Sequence, residues 1–281
     1  MKQCLARNNG ALLVLFGAIA FSLGGLLIKL IPLNPITINS TRCIFSSIII
    51  GGYMYFTKHK IIINKTVIFG ALSTFCMLMG YVVSNKLTSA ANAIVLEYTA
   101  PIFVIIFEAL LFKKKPDKTG IIICLLVFVG ILIVVLDGMS SGNILGDLIA
   151  LSSGIFYAFV MMLNDFDNAD SLSSVLLGHI LTAIIGIPMF SSLINASTST
   201  LLLVAFLGVF QAGLGYTLLT VGLKSCEPLT GSLISCIEPV LNPILVAVFY
   251  KEFMSINQII GGIIVIGSII VYNIIHTRKV N

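Results

Sequence analysis

Long apolar runs separated by short polar connections dominate the sequence. Most runs approach the roughly 20 residues that an α-helix needs to cross a hydrocarbon core of about 30 Å. They lack the alternation of apolar and polar positions that is typical of a membrane β-barrel. We therefore predict an all-α integral membrane fold with ten transmembrane helices, near residues 11–31, 36–56, 66–86, 91–112, 119–137, 145–163, 172–193, 200–222, 228–249 and 255–275.

The composition supports this prediction. Of the 281 residues, 58% are apolar and 10% are charged, and the mean hydropathy is +1.11. A soluble domain carries about 25% charged residues, because its surface faces water. These figures argue against a soluble enzyme, a disordered chain and a protein that binds nucleic acid. The sequence contains no P-loop and no HExxH motif, so we predict no enzymatic activity, no metal site and no cofactor.

The positions of the basic residues predict the orientation, because Lys and Arg favour cytoplasmic connections. With both termini in the cytoplasm, 12 of the 16 basic residues lie on the cytoplasmic side, including the run 113–115. We therefore predict a multi-pass protein of the plasma membrane with cytoplasmic N- and C-termini. The first apolar run is long enough to span the bilayer, and we interpret it as a retained helix rather than a cleaved signal.

The two halves of the sequence resemble each other. The stretch from Glu97 to Pro101 matches the stretch from Ser235 to Pro239 at an offset of 138 residues, and residues 10–21 match 146–157 at an offset of 136. We predict two repeats of five spans, 10–137 and 146–275. Because five is odd, the repeats would enter the bilayer in opposite orientations, as in transporters that bind substrate between inverted repeats. The alternative is a duplicated bundle that is merely stable.

Two charged residues lie inside predicted spans at matching depth. Arg42 and Glu97 are each six residues from the outer end of a span, or about 9 Å at 1.5 Å per residue. A charge near the middle of a bilayer costs at least ~2.5–3.5 kcal/mol, so each should face a partner or a cavity. The pair is either a fixed ion pair that helps the bundle to fold or a site for substrate or protons.

Other candidate site residues are a second acid, three tyrosines and a histidine. Glu238 precedes Pro239, whose missing N–H leaves backbone carbonyls in need of a partner or a water-filled cavity. His179 lies in the seventh predicted span, where it is either a packed histidine or a site residue. The aromatic candidates for the cavity are Tyr81, Tyr98 and Tyr157.

Several motifs together resemble the drug/metabolite transporter superfamily in its ten-helix EamA-type branch. They are the stretches 35–42, 98–103, 146–148 and 238–240, Tyr157-Ala158 and the Lys251-Glu252 pair. The resemblance covers about residues 10 to 275. Lys114 departs from it, because the family usually has a glutamate there. The resemblance implies a secondary transporter, often an exporter, of small metabolites.

These observations lead to competing hypotheses. The first is a transporter of an amino-acid-like or amine solute that works by alternating access, with Arg42 binding a carboxylate and Glu97 or Glu238 an ammonium group. Its partners would be a small-molecule substrate and the lipid bilayer, with either proton coupling or exchange, as a monomer or homodimer. The alternatives are a non-transporting membrane sensor or scaffold and a lipid-translocating protein.

Overall fold

The computed structural model describes residues 2–29, 31–115, 117–136, 143–194, 196–250 and 254–280. Within these ranges the chain forms helices and turns without a strand, which confirms the predicted all-α fold. The α-helices are α1 (Lys2–Lys29), α2 (Pro35–Phe56), α3 (Lys65–Leu87), α4 (Ala90–Glu97), α5 (Ala100–Leu111), α6 (Lys118–Val135), α7 (Ile144–Met161), α8 (Ser171–Ile185), α9 (Thr198–Phe206), α10 (Gly215–Leu223), α11 (Pro228–Ser235), α12 (Glu238–Tyr250) and α13 (Ile256–Val280). A π-helical segment, Leu207–Leu214, joins α9 to α10, and a 3-10 segment, Ile187–Leu193, follows α8.

Polar residues in the connections set where helices begin. The Asn34 side chain accepts a hydrogen bond from the backbone N–H of Ile36, and Pro35 occupies the first helical position of α2. Asn64 caps α3 and Asn143 caps α7 in the same way. The first turn of a helix leaves N–H groups without helical partners, and an Asn side chain satisfies one of them.

The helices include several that are long and apolar enough to cross a membrane. Six spans in the described residues meet that description: Lys65–Asn85, Asn92–Leu111, Lys118–Val135, Ile144–Met161, Thr198–Leu223 and Ile256–Ile275. A seventh is the bent pair Ser171–Ile185 and Ile187–Leu193, with an angle of 66° between its parts. Helix α2 has the length of a span, but Asn39, Arg42 and several hydroxyl residues lower its hydropathy. The count of ten spans therefore remains a prediction.

Two of the predicted spans are broken helices. The fourth consists of α4 and α5, which meet at Tyr98 and Thr99, and the ninth consists of α11 and α12, which meet between Ser235 and Glu238. Pro101 and Pro239 each stand at the second position of the later helix. Proline has no N–H to bond the carbonyl four residues earlier, and its ring clashes with that carbonyl, so a helix cannot continue without a break from Glu97 to Pro101 or from Ser235 to Pro239. Both breaks therefore follow from the matching motifs in the two halves.

The pairing of helices is symmetric under exchange of the halves α1–α6 and α7–α13. Helix α1 packs along α10, as α7 packs along α3. Helix α3 packs on α8, as α2 packs on the π-helical segment, while α1 contacts α11 and α12 as α7 contacts α4 and α5. Helices α2 and α8 pair with each other, and so do α6 and α13. The repeats 10–137 and 146–275 and their opposite orientation remain predictions.

Glycines allow the closest of these crossings. A Cβ atom on Gly222 would lie 2.6 Å from the backbone oxygen of Gly10, where α10 crosses α1. A Cβ on Gly261 would lie 2.5 Å from the backbone oxygen of Gly130, where α13 crosses α6. Small residues let helix backbones approach closely, and this approach is a main source of packing energy between helices in lipid.

Polar side chains at one end of the bundle join the two halves. His59 Nε2 lies 2.9 Å from both carboxylate oxygens of Asp170, and the hydroxyl group of Thr66 donates to the backbone oxygen of Asp167. Asn64 Nδ2 donates to the backbone oxygen of Asn168 over 2.8 Å. We call this group of residues the loop junction: His59, Asn64 and Thr66 with Asp167, Asn168 and Asp170. Lys114 adds a further link between the halves, because it pairs with Glu108 at 2.9 Å and with Asp165 at 2.8 Å.

The loop junction makes stability depend on pH. Burial alone would raise the pKa of Asp170, but hydrogen bonds from Ser173 and His59 hold it below its ordinary value of 3.8. Because the folded-state pKa is the lower one, Asp170 contributes stability above the unfolded-state value and loses it as the pH falls through the folded-state value. We expect Asp170→Asn to lower the free energy of unfolding by about 2 kcal/mol at neutral pH.

Melting curves of the detergent-purified protein test this expectation. The difference between the wild type and the variant should shrink below about pH 4, where the wild-type carboxyl becomes protonated. Asp167→Asn is the matched control, since Asp167 contributes its backbone oxygen to the junction. An equal loss of stability in Asp170→Asn and Asp167→Asn, or a difference from the wild type that is constant with pH, would contradict the role assigned to the Asp170 carboxylate.

Candidate functional site

A polar cavity lies where the broken helices meet between the two halves. Its walls come from α1, α2, α3, α4, α7, α10, α12, the α4–α5 break and the π-helical segment, through Phe21, Arg42, Met77, Leu78, Tyr81, Glu97, Tyr98, Tyr157, Gln211, Tyr216 and Glu238. The cavity volume is about 50 Å³. Sites for small molecules usually enclose roughly 300–1,000 Å³, so this cavity is smaller than a typical small-molecule site.

Arg42 contributes a buried positive charge to the cavity. Its side chain is 5% exposed. Nη1 donates to Gln211 Oε1 over 3.0 Å, and Nη2 donates to Asn39 Oδ1 over 2.6 Å. Nε is buried and has no hydrogen-bond partner among the described residues. The partners of this guanidinium are thus neutral amides, so a direct ion pair with Glu97 is not what the structure contains.

Glu97 is the last residue of α4, and the break in the helix places its carboxylate at the cavity. Glu97 Oε1 lies 2.9 Å from the hydroxyl oxygen of Ser153 on α7, which also lies 3.0 Å from the backbone oxygen of Met77 on α3. This acid of the first half is therefore held by a helix of the second half.

Glu238 is the first residue of α12 and approaches the cavity from the opposite half. The hydroxyl group of Tyr98, at the α4–α5 break, donates to Glu238 Oε2. The two breaks are thus in direct contact, with the acid supplied by one half and the phenol by the other. This hydrogen bond orients the Glu238 carboxyl group towards the α4–α5 break.

Aromatic rings complete the walls. Tyr98 and Tyr157 pack edge to face with ring centroids 6.2 Å apart, and Phe21 packs on Tyr216 at 4.7 Å. Tyr81 lines the same cavity from α3. The structure therefore brings together six of the seven predicted site residues: Arg42, Tyr81, Glu97, Tyr98, Tyr157 and Glu238.

His179 is the predicted site residue that the cavity does not include. It is fully buried in α8, and its Nδ1 lies 2.8 Å from the backbone oxygen of Val175. Since a carbonyl oxygen only accepts hydrogen bonds, Nδ1 carries the proton. The ring packs edge to face on Tyr216 with centroids 4.8 Å apart, and Tyr216 in turn lines the cavity. His179 therefore supports a wall of the cavity, as a packed histidine would.

The sequence model of the EamA-like transporter family matches residues 8–136 and again residues 144–274. The chain belongs to the EamA-like transporter family. This membership confirms the predicted resemblance, and together with the apolar helices it makes the chain a multi-pass membrane protein. The two matched ranges lie close to the predicted repeats 10–137 and 146–275.

Individual relatives of this chain are distant in sequence. An uncharacterized transporter of Clostridium kluyveri is 25% identical over 211 residues, which cover 69% of this chain and 66% of the relative. Solute carrier family 35 member G1 of Homo sapiens is 23% identical over 180 residues, which cover 58% of this chain and 49% of the relative. The chain thus spans about two thirds and about half of the length of these two proteins. A crystal structure with 16% sequence identity shares the fold, with a TM-score of 0.81 over 96% of this chain and 98% of the other.

The cavity also contains residues that the sequence prediction did not include. The most consequential are Gln211 and Tyr216, together with Asn39, which lies behind Arg42. Gln211 has a visible signal, because it is an uncharged amide in the middle of an otherwise apolar run from 201 to 215. Asn39 precedes Arg42 by one helical turn. In both cases the sequence shows a polar side chain within a predicted span, but it does not show that the side chain contacts Arg42.

Proposed function

We propose that this protein is a secondary transporter, working as an exporter, that carries an amino-acid-like or amine solute across the plasma membrane by alternating access. One observation carries the proposal. A cavity between the two halves gathers one arginine, two glutamates and several aromatic rings at the points where two helices are broken. Transporters built from inverted repeats typically place the substrate beside such broken helices.

The charges favour a zwitterion. Arg42 offers N–H groups to a carboxylate, while the Glu97 and Glu238 carboxyl groups offer oxygen atoms to an ammonium group. The rings of Tyr98 and Tyr157 stand beside Glu238 and are suited to cover an apolar side chain or to contact a cation through their faces. An amine without a carboxylate is the variant in which the two acids and the tyrosine rings carry the recognition.

The arrangement of the halves supports the proposal of alternating access. We infer ten spans in two inverted repeats, 10–137 and 146–275, with the cavity between them. In the proposed orientation, with both termini in the cytoplasm, the loop junction closes the cytoplasmic end. A small cavity and a closed end describe one state of a cycle, and release of the junction would open the route by which a cytoplasmic solute enters.

Lipid translocation is the second candidate, and one feature favours it. An apolar groove of about 550 Å³ lies between α1, α11 and α13. Apart from Asn273, the described residues that line it are apolar: Ala11, Leu12, Leu15, Ile234, Ile237, Ile266, Ile269, Ile270 and Ile274. The groove would accommodate an acyl chain, but its lining offers no charge for a lipid headgroup.

Reconstitution in proteoliposomes tests the proposed function. We expect saturable flux of at least one radiolabelled amino acid or amine from a panel, and competition by its structural analogues. A fluorescent phospholipid in the same vesicles tests the second candidate. Flux of the lipid alone would favour lipid translocation, and flux of neither would overturn transport by this site.

Cysteine accessibility tests the alternating cycle. Ser40 of α2 donates to the backbone oxygen of Thr182 near the end of α8, whereas Ser174 lies near the start of α8 against Gly70 of α3. Both serines are buried, so each is changed to cysteine in a cysteine-free background. Addition of substrate should change their labelling by a membrane-impermeant thiol reagent in opposite directions. Labelling that stays constant at both positions would instead describe a static scaffold.

A further inference from the structure

The amide groups around Arg42 are arranged by the fold. Asn39 Nδ2 donates to the backbone oxygen of Leu78 over 3.3 Å and to Met79 Sδ over 3.6 Å, which turns Oδ1 towards Arg42. Asn39 is therefore held by α3 on one side and holds the guanidinium on the other. An amide that rotated by 180° would lose all of these hydrogen bonds, so its orientation is determined.

Gln211 is presented by the π-helical segment. A Cβ atom on Gly24 of α1 would lie 3.1 Å from Gln211 Nε2, so the absence of a side chain there makes room for the amide. On the other side of the segment, a Cβ on Gly208 would lie 2.8 Å from the backbone oxygen of Arg42. The wide turn of a π-helix shifts side chains relative to an α-helix, and such segments frequently occur at functional sites.

Both partners of Arg42 are the neutral counterparts of acids with the same shape. A glutamate at 211 or an aspartate at 39 would fill the same space and pair with the guanidinium as an ion. If Arg42 only stabilised the bundle, a carboxylate partner would suit it better than an amide, because a buried charge without a counter-charge is strongly destabilising. The chain instead fixes the position of the guanidinium and leaves its charge without an anion in direct contact.

We propose that Asn39 and Gln211 determine specificity by holding Arg42 through neutral amides, so that its charge is available to a carboxylate of the transported solute. Each guanidinium nitrogen still has an N–H that the two amides do not use: Nη1 and Nη2 donate one each, and Nε donates none within the described chain. A planar fork of this kind suits a carboxylate in two-point contact. This inference rests on the proposed function and names the anionic group of its substrate.

The first experiment needs no substrate. Gln211→Glu should raise the melting temperature of the ligand-free protein, because the new carboxylate pairs with Arg42, and the same change in an Arg42→Met background should not. Asn39→Asp provides an independent version of the test from a different helix. Gln258→Glu is the matched control, since Gln258 accepts a hydrogen bond at the start of α13 and lies outside the cavity. Equal effects of Gln211→Glu with and without Arg42 would overturn the inference, because they would show that the charge is already compensated.

The second experiment measures recognition of the carboxylate group of the solute. Each amino acid of the panel is compared with its decarboxylated amine and its deaminated acid, by competition for flux and by the melting-temperature shift that a bound ligand causes. Gln211→Glu and Asn39→Asp should weaken the binding of carboxylate-bearing compounds by about tenfold or more, and should weaken the binding of the matched amines much less. Gln258→Glu should leave both groups unchanged. Equal weakening of acids and amines would overturn the proposed role in specificity.

The two experiments separate the possible failures. A positive melting result without any response to the panel would leave the account of Arg42 standing and would count against the proposed function. If a panel compound is transported but the effect of Gln211→Glu on the melting temperature does not depend on Arg42, the proposed function would stand and the account of Arg42 would be overturned.

Discussion

Transport should fall about 100-fold when Glu238 is replaced by glutamine, and Glu97→Gln should have an effect of similar size. Both side chains keep their shape in these variants and lose the negative charge that would bind an ammonium group. Glu238 also fixes contact between the two breaks through the hydrogen bond from Tyr98. Initial rates of flux in proteoliposomes, corrected for the amount of reconstituted protein, provide the measurement.

The control for this prediction is Glu227→Gln. Glu227 is an exposed acid at the start of α11, outside the cavity, so the same chemical change should leave flux within about twofold. Rates equal to the wild type in both cavity variants would remove Glu97 and Glu238 from the site. Melting curves distinguish a loss of recognition from a loss of folded protein.

A valine in place of Gly154 should abolish transport, because this glycine of α7 touches the backbone at the break that carries Glu97. A Cβ atom at 154 would lie 2.7 Å from the backbone oxygen of Leu96 and 2.8 Å from that of Glu97. Backbone atoms cannot rotate away, so α4 or α7 must move, at a cost of about 3 kcal/mol or more. The movement displaces Glu97 from Ser153 and the cavity.

Gly267→Val is the matched control, since a Cβ there meets nothing within 4 Å. Valine has a slightly higher helix propensity than glycine, so this variant should melt at the wild-type temperature or a little above it. We expect Gly154→Val to lose both flux and thermal stability, with the smaller change Gly154→Ala intermediate. Full activity of Gly154→Val would show that the α4–α7 contact is not as close as described.

Much of the fold could be predicted because a membrane imposes simple rules on a sequence. The apolar runs mark helices, since a backbone in lipid must satisfy its own hydrogen bonds. The prolines at 101 and 239 mark the positions near which helices break. The length of α2 matched its predicted span, yet its polar first half makes hydropathy a weak guide to the number of spans.

The site was predicted in part for the same reason. Ionisable residues within apolar runs are conspicuous, so Arg42, Glu97 and Glu238 could be selected without a structure, and the cavity contains all three. The contacts that these three side chains make could not be predicted from the sequence. Depth along a helix matched Arg42 with Glu97, but depth says nothing about rotation around the helix axis, and the fold turns Arg42 towards Asn39 and Gln211 instead.

The sequence by itself determined an all-α membrane fold, two similar halves and the residues whose burial demands an explanation, because each follows from the cost of placing polar groups in lipid. Tertiary structure decided which of those groups meet. It placed the Tyr98 hydroxyl on Glu238, Ser153 beside Glu97 and His179 behind a wall of the cavity. These contacts join residues from different helices. The rotation and packing of the helices determine them, and both depend on the whole bundle rather than on any local stretch of sequence.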